Sequence, residues 1–509
     1  MTTTPERPAS AFPTFRAIPR GLLAAPHWVG RLLRRKWRPI VVVLAVLVAA
    51  HIVLNIVAGR RLEAELSRLR AEGAPLTLAE AAPPKVPDSE NAAILYQKAF
   101  KGLDNSRDLT VVASFVPDES ARYRKPPPTF AELEAVVARH QADFTLLRQG
   151  SLRPACRFPV DWNAGAALTF PHLAAIRKAV RFLAAKALVD ARQGRAGDAL
   201  DDLAVAIRMS NQISREPALI SQLVRVACLG IVYGVLPEVL AATPPTAAES
   251  RHLYDLLGGT DLAGPWVHAM EGERCFSLWI FDNLRRQPRG AELADLIGLP
   301  GWSDSLYKRV RMWVARFAVI HLWRAARMVW GPFLKLDEVY GLRQWRENLE
   351  ITALPYRQGR KRIEAFEQDM ATRSPWYALV SRVIVPVFAR ATQARDEGIA
   401  RIGLMQAALA LRQYQIAHGG YPASLADLRA AGGWAIPDDP FSGKPLIYRR
   451  EGAGYLVYSV GGDLKDNGGI IDYETALKLA HNAPAARGRT RLGRAWWDIA
   501  YDIPLRMPR

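Results

Sequence analysis

Cysteine is scarce in this chain of 509 residues, with Cys156, Cys228 and Cys275 as its three thiols. They lie far apart and form no CxxC pair, so the sequence supports neither a zinc ribbon nor a dense disulfide framework. Cys228 and Cys275 fall in apolar helical segments, where a buried and inert thiol is the expected role. One disulfide with one cysteine left over stays open if these residues lie outside the cytoplasm.

Signature motifs of catalysis and of nucleic-acid binding are also missing. The chain contains no HExxH, no GxSxG, no Walker A sequence and no GxGxxG that opens a strand–helix unit. It contains no zinc-finger spacing, no bZIP basic region and no aromatic RNA-binding motif. We therefore expect no nucleic-acid partner, and no motif assigns a catalysed reaction.

Acidic residues are outnumbered, because 68 Lys and Arg against 49 Asp and Glu give a formal net charge of +19. Much of the excess lies in residues 1–38, which hold eight basic residues against one acid, Glu6. The basic residues are Arg7, Arg16, Arg20, Arg31, Arg34, Arg35, Lys36 and Arg38. A basic segment that precedes an uncharged run is typical of a cytoplasmic leader under the positive-inside rule.

The uncharged run is residues 39–58, PIVVVLAVLVAAHIVLNIVA, twenty residues long. At 1.5 Å per residue a helix of this length spans about 30 Å, the thickness of the bilayer hydrocarbon. The alternative is a cleaved signal peptide, but the leader is long and no convincing small-x-small cleavage site follows Val57. We expect an uncleaved anchor in the inner membrane, with the N-terminus cytoplasmic and the rest of the chain periplasmic.

A second hydrophobic run, Ala218–Ala241, is interrupted by Arg225 and Glu238 and is followed by a Pro-Pro pair. A buried core helix explains this composition better than a second membrane crossing.

Most of the chain between the anchor and residue 390 is typical of helices. Three Thr-x-x-Glu patterns predict capping boxes at helix starts, and they are Thr77 with Glu80, Thr129 with Glu132, and Thr246 with Glu249. The stretch AAKALVDARQGRAGDALDDLAVAIRMSNQI, residues 184–213, predicts two helices joined by a glycine-containing turn. No second copy follows at a repeat period, so we expect a helical hairpin within a helical domain and not a solenoid.

One polar cluster in this region is a candidate catalytic or metal-binding site. His268, Glu271 and Glu273 lie close together in the segment VHAMEGERCFSLWIF. His and Glu three residues apart share a helix face and can ligate a metal. An ordinary solvent-exposed polar face of a helix would have the same sequence. A membrane-anchored periplasmic hydrolase that uses these residues is therefore the alternative to a binding or scaffolding protein.

The last 119 residues follow a different pattern. A long helix, RDEGIARIGLMQAALALRQYQIAHGG, precedes YPASLADLRAAGG, which predicts a short helix with Ser424 as its N-cap. PLIYRR and GYLVYSVG are rich in β-branched and aromatic residues, and EGAG separates them. That arrangement predicts a β-hairpin, followed by the glycine-rich acidic loop GGDLKDNGG.

This order of elements resembles the periplasmic domain of the major pseudopilin of type II secretion. The matching pieces are a long helix, Tyr-Pro with a short helix, Asp439-Pro440, Tyr448, and Ser459, Gly461 and Asp463 in the loop after the hairpin. The segment RAWWDIAYDIP also resembles the closing acidic segment of that family. Unlike a pseudopilin, this chain carries the helix internally, after some 390 residues. The whole chain also resembles a group of bacterial single-pass membrane proteins that carry VPDSENAA after the anchor.

The pseudopilin resemblance implies calcium as a candidate cofactor, because the corresponding loop of that family binds it. Calcium takes six to eight oxygen ligands. Asp463, Asp466 and Asn467 are the candidate ligands, together with loop carbonyls and Asp472 or Asp498. The loop is not an EF-hand, since its acids do not alternate, and an acidic glycine-rich turn gives the same sequence.

Taken together, the sequence predicts a mainly α protein with four segments. They are a basic cytoplasmic leader (1–38), a transmembrane helix (39–58), a helical extracytoplasmic domain (59–390) and a pseudopilin-like α+β domain with an antiparallel hairpin (391–509). The predicted role is binding or scaffolding at the cell envelope, with the membrane and envelope proteins as partners, and the resemblance suggests an association with secretion machinery.

Overall fold

Helices dominate the computed structural model, which describes residues 27–116, 128–286, 306–385, 391–469 and 503–507. In chain order the helices are α1 (His27–Ala71), α2 (Leu78–Ala81), α3 (Ala92–Gly102), α4 (Ser106–Phe115), α5 (Phe130–Arg139), α6 (Gln141–Ser151), α7 (Pro171–Arg192), α8 (Ala196–Asn211), α9 (Leu219–Ala242), α10 (Ala247–Gly258), α11 (Ala263–Arg285), α12 (Leu306–Ala353), α13 (Tyr356–Thr372), α14 (Ser381–Ile384), α15 (Ala391–His418) and α16 (Ala426–Gly432). The strands are β1 (Ile447–Glu451), β2 (Gly454–Ser459) and β3 (Ile503–Arg506). The predicted mainly α class with a small antiparallel sheet is confirmed.

The chain divides into two units, Met1–Arg60 and Arg61–Arg509. Two helical segments of the described residues are long and apolar enough to cross a membrane by length and composition. In the first, Val41–Ala71, only 6% of the most apolar 18-residue stretch is buried. Val42 and Val46 are both 61% exposed. In the second, α9, 61% of the corresponding stretch is buried. The prediction that the second run is a core helix is thus confirmed.

The core of the Arg61–Arg509 unit is built on α7, α8 and α9, which pack against one another. Leu183, Leu203 and Leu236 are among the side chains that are almost completely buried there. The turn between α7 and α8 contains Gly194 at a φ of +79°, a conformation that glycine adopts without strain. The predicted helix–turn–helix is therefore present.

Two of the predicted capping boxes are complete. The Thr129 side chain accepts a hydrogen bond from Glu132 N, and the Glu132 carboxylate accepts one from Thr129 N. The same reciprocal pair joins Thr246 and Glu249 at the start of α10. Each box satisfies two backbone N–H groups that a helix start would otherwise leave without partners.

The sheet is antiparallel with strand order β1-β2-β3. The predicted hairpin pairs Tyr448 with Val457, and a two-residue turn follows Glu451. The third strand was not predicted, and it pairs Leu456 with Arg506. All six residues of β2 are buried, which is typical of a central strand.

Helix α15 joins the sheet to the helical core, because it packs on α9 and α10 as well as on β2 and β3. Gln406 donates to the Tyr254 carbonyl at 3.1 Å, and the Tyr233 hydroxyl donates to the Pro504 carbonyl. The described parts of residues 61–390 and 391–509 therefore share apolar and polar contacts. The predicted domain boundary between residues 390 and 391 stays a prediction.

Candidate functional site

The two carboxylates of the acidic loop after β2 accept hydrogen bonds from the loop itself and from Tyr458 of β2. Asp463 accepts hydrogen bonds from Lys465 N and from Asn467 Nδ2, both at 3.1 Å. Asp466 accepts from Tyr458 Oη and from Gly468 N, both at 2.8 Å. Asp463 and Asn467 thus lie together, whereas Asp466 is bonded to the end of β2.

These contacts bear on the calcium prediction. The described loop offers two carboxylates against the six to eight oxygens that calcium takes. Asp472 and Asp498 lie outside the described residues. Within the residues that the structure describes, no three His, Cys, Asp or Glu side chains are grouped so as to hold a metal ion. Calcium at Asp463, Asp466 and Asn467 stays a prediction that needs loop carbonyls and further ligands.

A buried carboxylate, Asp439, explains the Asp-Pro-Phe-x-Gly sequence. It is 1% exposed and accepts hydrogen bonds from Phe441 N, Ser442 N, Val460 N and the Ser459 hydroxyl. These bonds connect the loop before β1 to the end of β2. The residue holds the hairpin in place, and this is a structural role.

The cluster of His268, Glu271 and Glu273 on α11 separates into two parts. His268 Nδ1 lies 3.5 Å from Glu271 Oε2, and both side chains are partly exposed. Glu273 instead accepts a 2.9 Å hydrogen bond from Leu219 N, the first residue of α9, and burial raises the pKa of its carboxyl group. Glu273 therefore acts as a cap for α9, and the three residues do not converge on one site.

A second polar group, which the sequence did not predict, lies between α7 and α9. Glu216 Oε1 lies 2.8 Å from His172 Nε2, and Glu216 Oε2 accepts a 2.5 Å hydrogen bond from the Ser221 hydroxyl. The carboxylate stands between the imidazole and the hydroxyl, so His172 is not the base that would activate Ser221. All three residues are buried, and they fix the α8–α9 connection.

The cysteines are free and unsuited to nucleophilic chemistry. No disulfide joins them, and Cys228 and Cys275 are buried as predicted. Burial raises the pKa of Cys156 to about 12, of Cys228 to about 11 and of Cys275 to about 12. A thiolate is the reactive form, so none of the three is poised as a nucleophile near neutral pH.

A cavity of about 590 Å³ is lined by the segment Ala81–Pro84. We name it the Arg225 cavity. Its other walls are the α8–α9 connection, Arg225 of α9, and the residues from Gly259 to His268 around the start of α11. The part of the chain described here brings no second histidine to these walls.

Arg225 is 1% exposed, and its hydrogen bonds all go to neutral acceptors. Its guanidinium donates to Gln222 Oε1 (2.7 Å), Asn211 Oδ1 (3.0 Å) and the Asp261 carbonyl (2.9 Å). Its Nε is buried and has no hydrogen-bond partner among the described residues. Burial lowers the pKa of Arg225 to about 10, because the charged form is poorly solvated there.

A second cavity of about 330 Å³ adjoins the first, and we name it the Arg153 cavity. The two share lining residues from Pro83–Pro84 and from the α8–α9 connection, including Arg215. Arg153 and Arg208 also line the second cavity. We call the two cavities together the arginine cleft.

The VPDSENAA sequence, which follows the lining residues Pro83 and Pro84, is positioned by Asn91. Its side chain caps α3 through Ala93 N (3.1 Å) and pairs with the backbone of Arg157, as donor to the carbonyl (3.0 Å) and acceptor from the N–H (2.9 Å). Arg153 Nη1 adds bonds to the Asp88 and Asn91 carbonyls at 2.9 and 2.8 Å. This motif is therefore the local scaffold of the cleft.

Sequence reasoning used Arg225 only as a reason to reject a second membrane crossing. A lone arginine among the apolar residues of α9 was the available signal for a buried charge. Its neighbours in the cleft come from sequence positions up to 144 residues away, at Ala81, and no spacing rule connects them.

Comparison with known proteins assigns no family, since no protein-family model, no curated protein and no solved structure matches this chain.

Proposed function

We propose that this protein is a single-pass inner-membrane protein that presents a helical binding or scaffolding domain outside the cytoplasm. One observation carries the proposal, namely the contrast between the two apolar helices. The most apolar stretch in α9 is mostly buried among other helices, whereas that in α1 is 6% buried. A run of side chains such as Val42, Leu47 and Val53, each more than half exposed, is stable in hydrocarbon and costly in water.

The orientation follows from charge. Eight basic residues in residues 1–38 precede the anchor and place the N-terminus in the cytoplasm under the positive-inside rule. Residues 59–509 then lie in the periplasm. The association with secretion machinery rests on the resemblance of residues 391–509 to the major pseudopilin.

Binding is favoured over catalysis by the roles of the polar groups. The candidate acids and bases in the described residues cap helices or join elements, as Glu273, Glu216 and Asp439 do. The arginine cleft is instead a concave site with four arginines, and its described walls bring one histidine, His268, and one acid, Asp261. Such a cleft is suited to hold a ligand.

Alkaline phosphatase fused at the C-terminus tests this function, because that reporter is active only outside the cytoplasm. We expect an active fusion that stays in the membrane through alkaline carbonate extraction. In a variant with Leu44→Arg and Leu47→Arg, two charges enter the apolar run and should release the protein from the membrane or abolish export. A Leu44→Ile, Leu47→Ile variant is the matched control and should behave as wild type. An inactive wild-type fusion, or a mature protein that begins past residue 58 and washes off membranes, contradicts the proposal.

A further inference from the structure

The charge balance of the arginine cleft differs from that of the surrounding protein. Arg153, Arg208, Arg215 and Arg225 all line it, and Asp261 is the acidic residue on its walls. None of the four arginines has an ion pair with a carboxylate in the described portion of the chain. Arg153 donates to backbone carbonyls, Arg208 Nη2 lies 2.7 Å from His252 Nε2, and Arg225 bonds to neutral acceptors.

Several arginines elsewhere in the same unit are paired with carboxylates. Arg139 bonds Asp108 at 2.6 Å, Arg148 bonds Asp202 at 3.1 Å, and Arg395 bonds Asp396 at 2.7 Å although both partners are buried. Arginine–carboxylate pairs thus occur in this unit, and the described residues show none at the four cleft arginines. Burying a charge is costly, and the hydrogen bonds of Arg225 to three neutral acceptors offset part of that cost.

Asp261 supplies only part of the counter-charge, since burial lowers the pKa of Arg225 more than the charge of Asp261 raises it. Its carboxylate Oδ1 already accepts hydrogen bonds from Ala263 N at 2.8 Å and Gly264 N at 3.1 Å. The residue is exposed, and only its backbone carbonyl bonds to Arg225. It provides one partly solvated negative charge against four positive ones.

We propose that the arginine cleft binds a small organic anion that carries at least two carboxylate or phosphate groups. Arg225 supplies a fixed positive charge at the floor of the larger cavity. Arg215, which is exposed and unpaired among the described residues, contacts the anion directly at the junction of the two cavities. Arg153 and Arg208 hold a second anionic group in the smaller cavity. Arginine forms bidentate hydrogen bonds with either kind of group, so the cleft recognises the chemistry that carboxylates and phosphates share.

The ligand is small because the charge at Arg225 lies inside a cavity. Arg225 is 1% exposed, so the broad surface of a nucleic-acid duplex or a membrane does not contact it. This inference rests on the proposed binding role, but it does not depend on the membrane orientation, so the two are tested separately.

Isothermal titration calorimetry on the full chain in detergent tests the proposal, with pyrophosphate as the phosphate probe and citrate as the carboxylate probe. We expect saturable binding of at least one probe. The probe that binds shows whether the ligand carries phosphate or carboxylate groups. Arg215→Gln should weaken the binding about tenfold, since one charge-assisted contact is lost. Asp261→Asn should tighten it about threefold, because a repulsive charge is removed while the amide can still cap α11.

The control is Arg107→Gln, which removes an exposed arginine that has no ion pair among the described residues and lines neither cavity. It should leave the affinity unchanged. A chain of net charge +19 attracts anions non-specifically, so binding that Arg215→Gln and Arg107→Gln weaken equally overturns the proposal. Absence of binding by both probes also overturns it. Arg225→Gln should weaken binding at least tenfold where circular dichroism shows that it folds, and the Arg215 and Asp261 variants decide the outcome where it does not.

Discussion

The Ser459 hydroxyl donates a 2.6 Å hydrogen bond to the buried carboxylate of Asp439, 20 residues earlier in the chain. This contact fixes the end of β2 against the loop that precedes β1. Both residues belong to the set that carries the pseudopilin resemblance. Their contact indicates that these two positions stabilise the β1–β2 hairpin of this chain.

Replacement of Asp439 tests that role. Asp439→Ala removes an acceptor of four hydrogen bonds and leaves buried N–H groups without partners, so we expect a loss of about 2–4 kcal/mol in local stability. Hydrogen exchange of the β1–β2 amides measures it. The neighbouring Asp438→Ala, at an exposed position, is the control and should change protection little. Equal protection in the two variants would refute the role assigned to Asp439.

Gly272 is a position where helix α11 passes very close to the α8–α9 connection. A Cβ atom there would overlap the Pro217 carbonyl oxygen. We expect Gly272→Ala to lower the thermal unfolding midpoint markedly, because the backbone of the connection must move. Gly234→Ala in α9 is the matched control, since nothing lies within 4 Å of its Cβ position, and it should stabilise the protein by about 0.5–1 kcal/mol. A neutral Gly272→Ala would show that the two elements are not in close contact.

Asn91 both caps α3 and bridges to Arg157, whereas Asn105 caps α4 without such a bridge. Asn105→Ala should cost about 1 kcal/mol, the usual cost of a lost N-cap. Asn91→Ala should cost more, about 2–3 kcal/mol, because buried backbone groups also lose their partner. Chemical denaturation of the two variants side by side gives the comparison. If Asn105→Ala proves the more damaging, the bridge to Arg157 contributes nothing.

Asp108 gives a prediction for pH dependence. Burial acts to raise the pKa of Asp108, but hydrogen bonds from Arg139 and His140 outweigh it and leave the pKa below the ordinary 3.8. The stabilisation is therefore complete above that ordinary value and is lost as the pH falls through the lowered pKa. Asp108→Asn should destabilise the protein by about 2 kcal/mol between pH 5 and 8, and the difference from wild type should shrink below about pH 4.

Unfolding midpoints measured over that pH range check the Asp108 prediction. Asp104→Asn is the control, since this exposed carboxylate pairs with Lys178 at the surface and such pairs contribute little. A destabilisation by Asp108→Asn that is constant down to pH 2 would contradict the assigned ion pairs.

Local signals predicted local structure well. Thr129 and Thr246 start helices with complete capping boxes, and the β1–β2 hairpin lies where β-branched and aromatic residues flank a short turn. At Thr77 half of the box forms, because the Glu80 carboxylate accepts from Leu76 N instead. These patterns join residues that lie within four positions of each other, so they can be read from the sequence alone.

Non-local contacts were not predictable in the same way. Strand β3 has four residues, includes Pro504, and gains its partner from β2 more than 40 residues earlier. Ser424 was expected to cap α16, yet that helix begins at Ala426, and the Asp427 carboxylate accepts from Ser424 N. The arginine cleft likewise forms only when distant segments pack. In each case the observed structure depends on tertiary packing, which the preferences of neighbouring residues do not determine.

Cysteine labelling tests the central claim, the export of everything after the anchor, most directly. The Cys156→Ala protein keeps only the buried Cys228 and Cys275, so a single new cysteine reports its own location. Ser10→Cys lies in the leader and Ser106→Cys at an exposed position of α4. In intact bacterial cells, a membrane-impermeant maleimide should label Ser106→Cys at once and Ser10→Cys only after lysis. Labelling of Ser10→Cys in intact cells, with Ser106→Cys protected until lysis, would contradict the account.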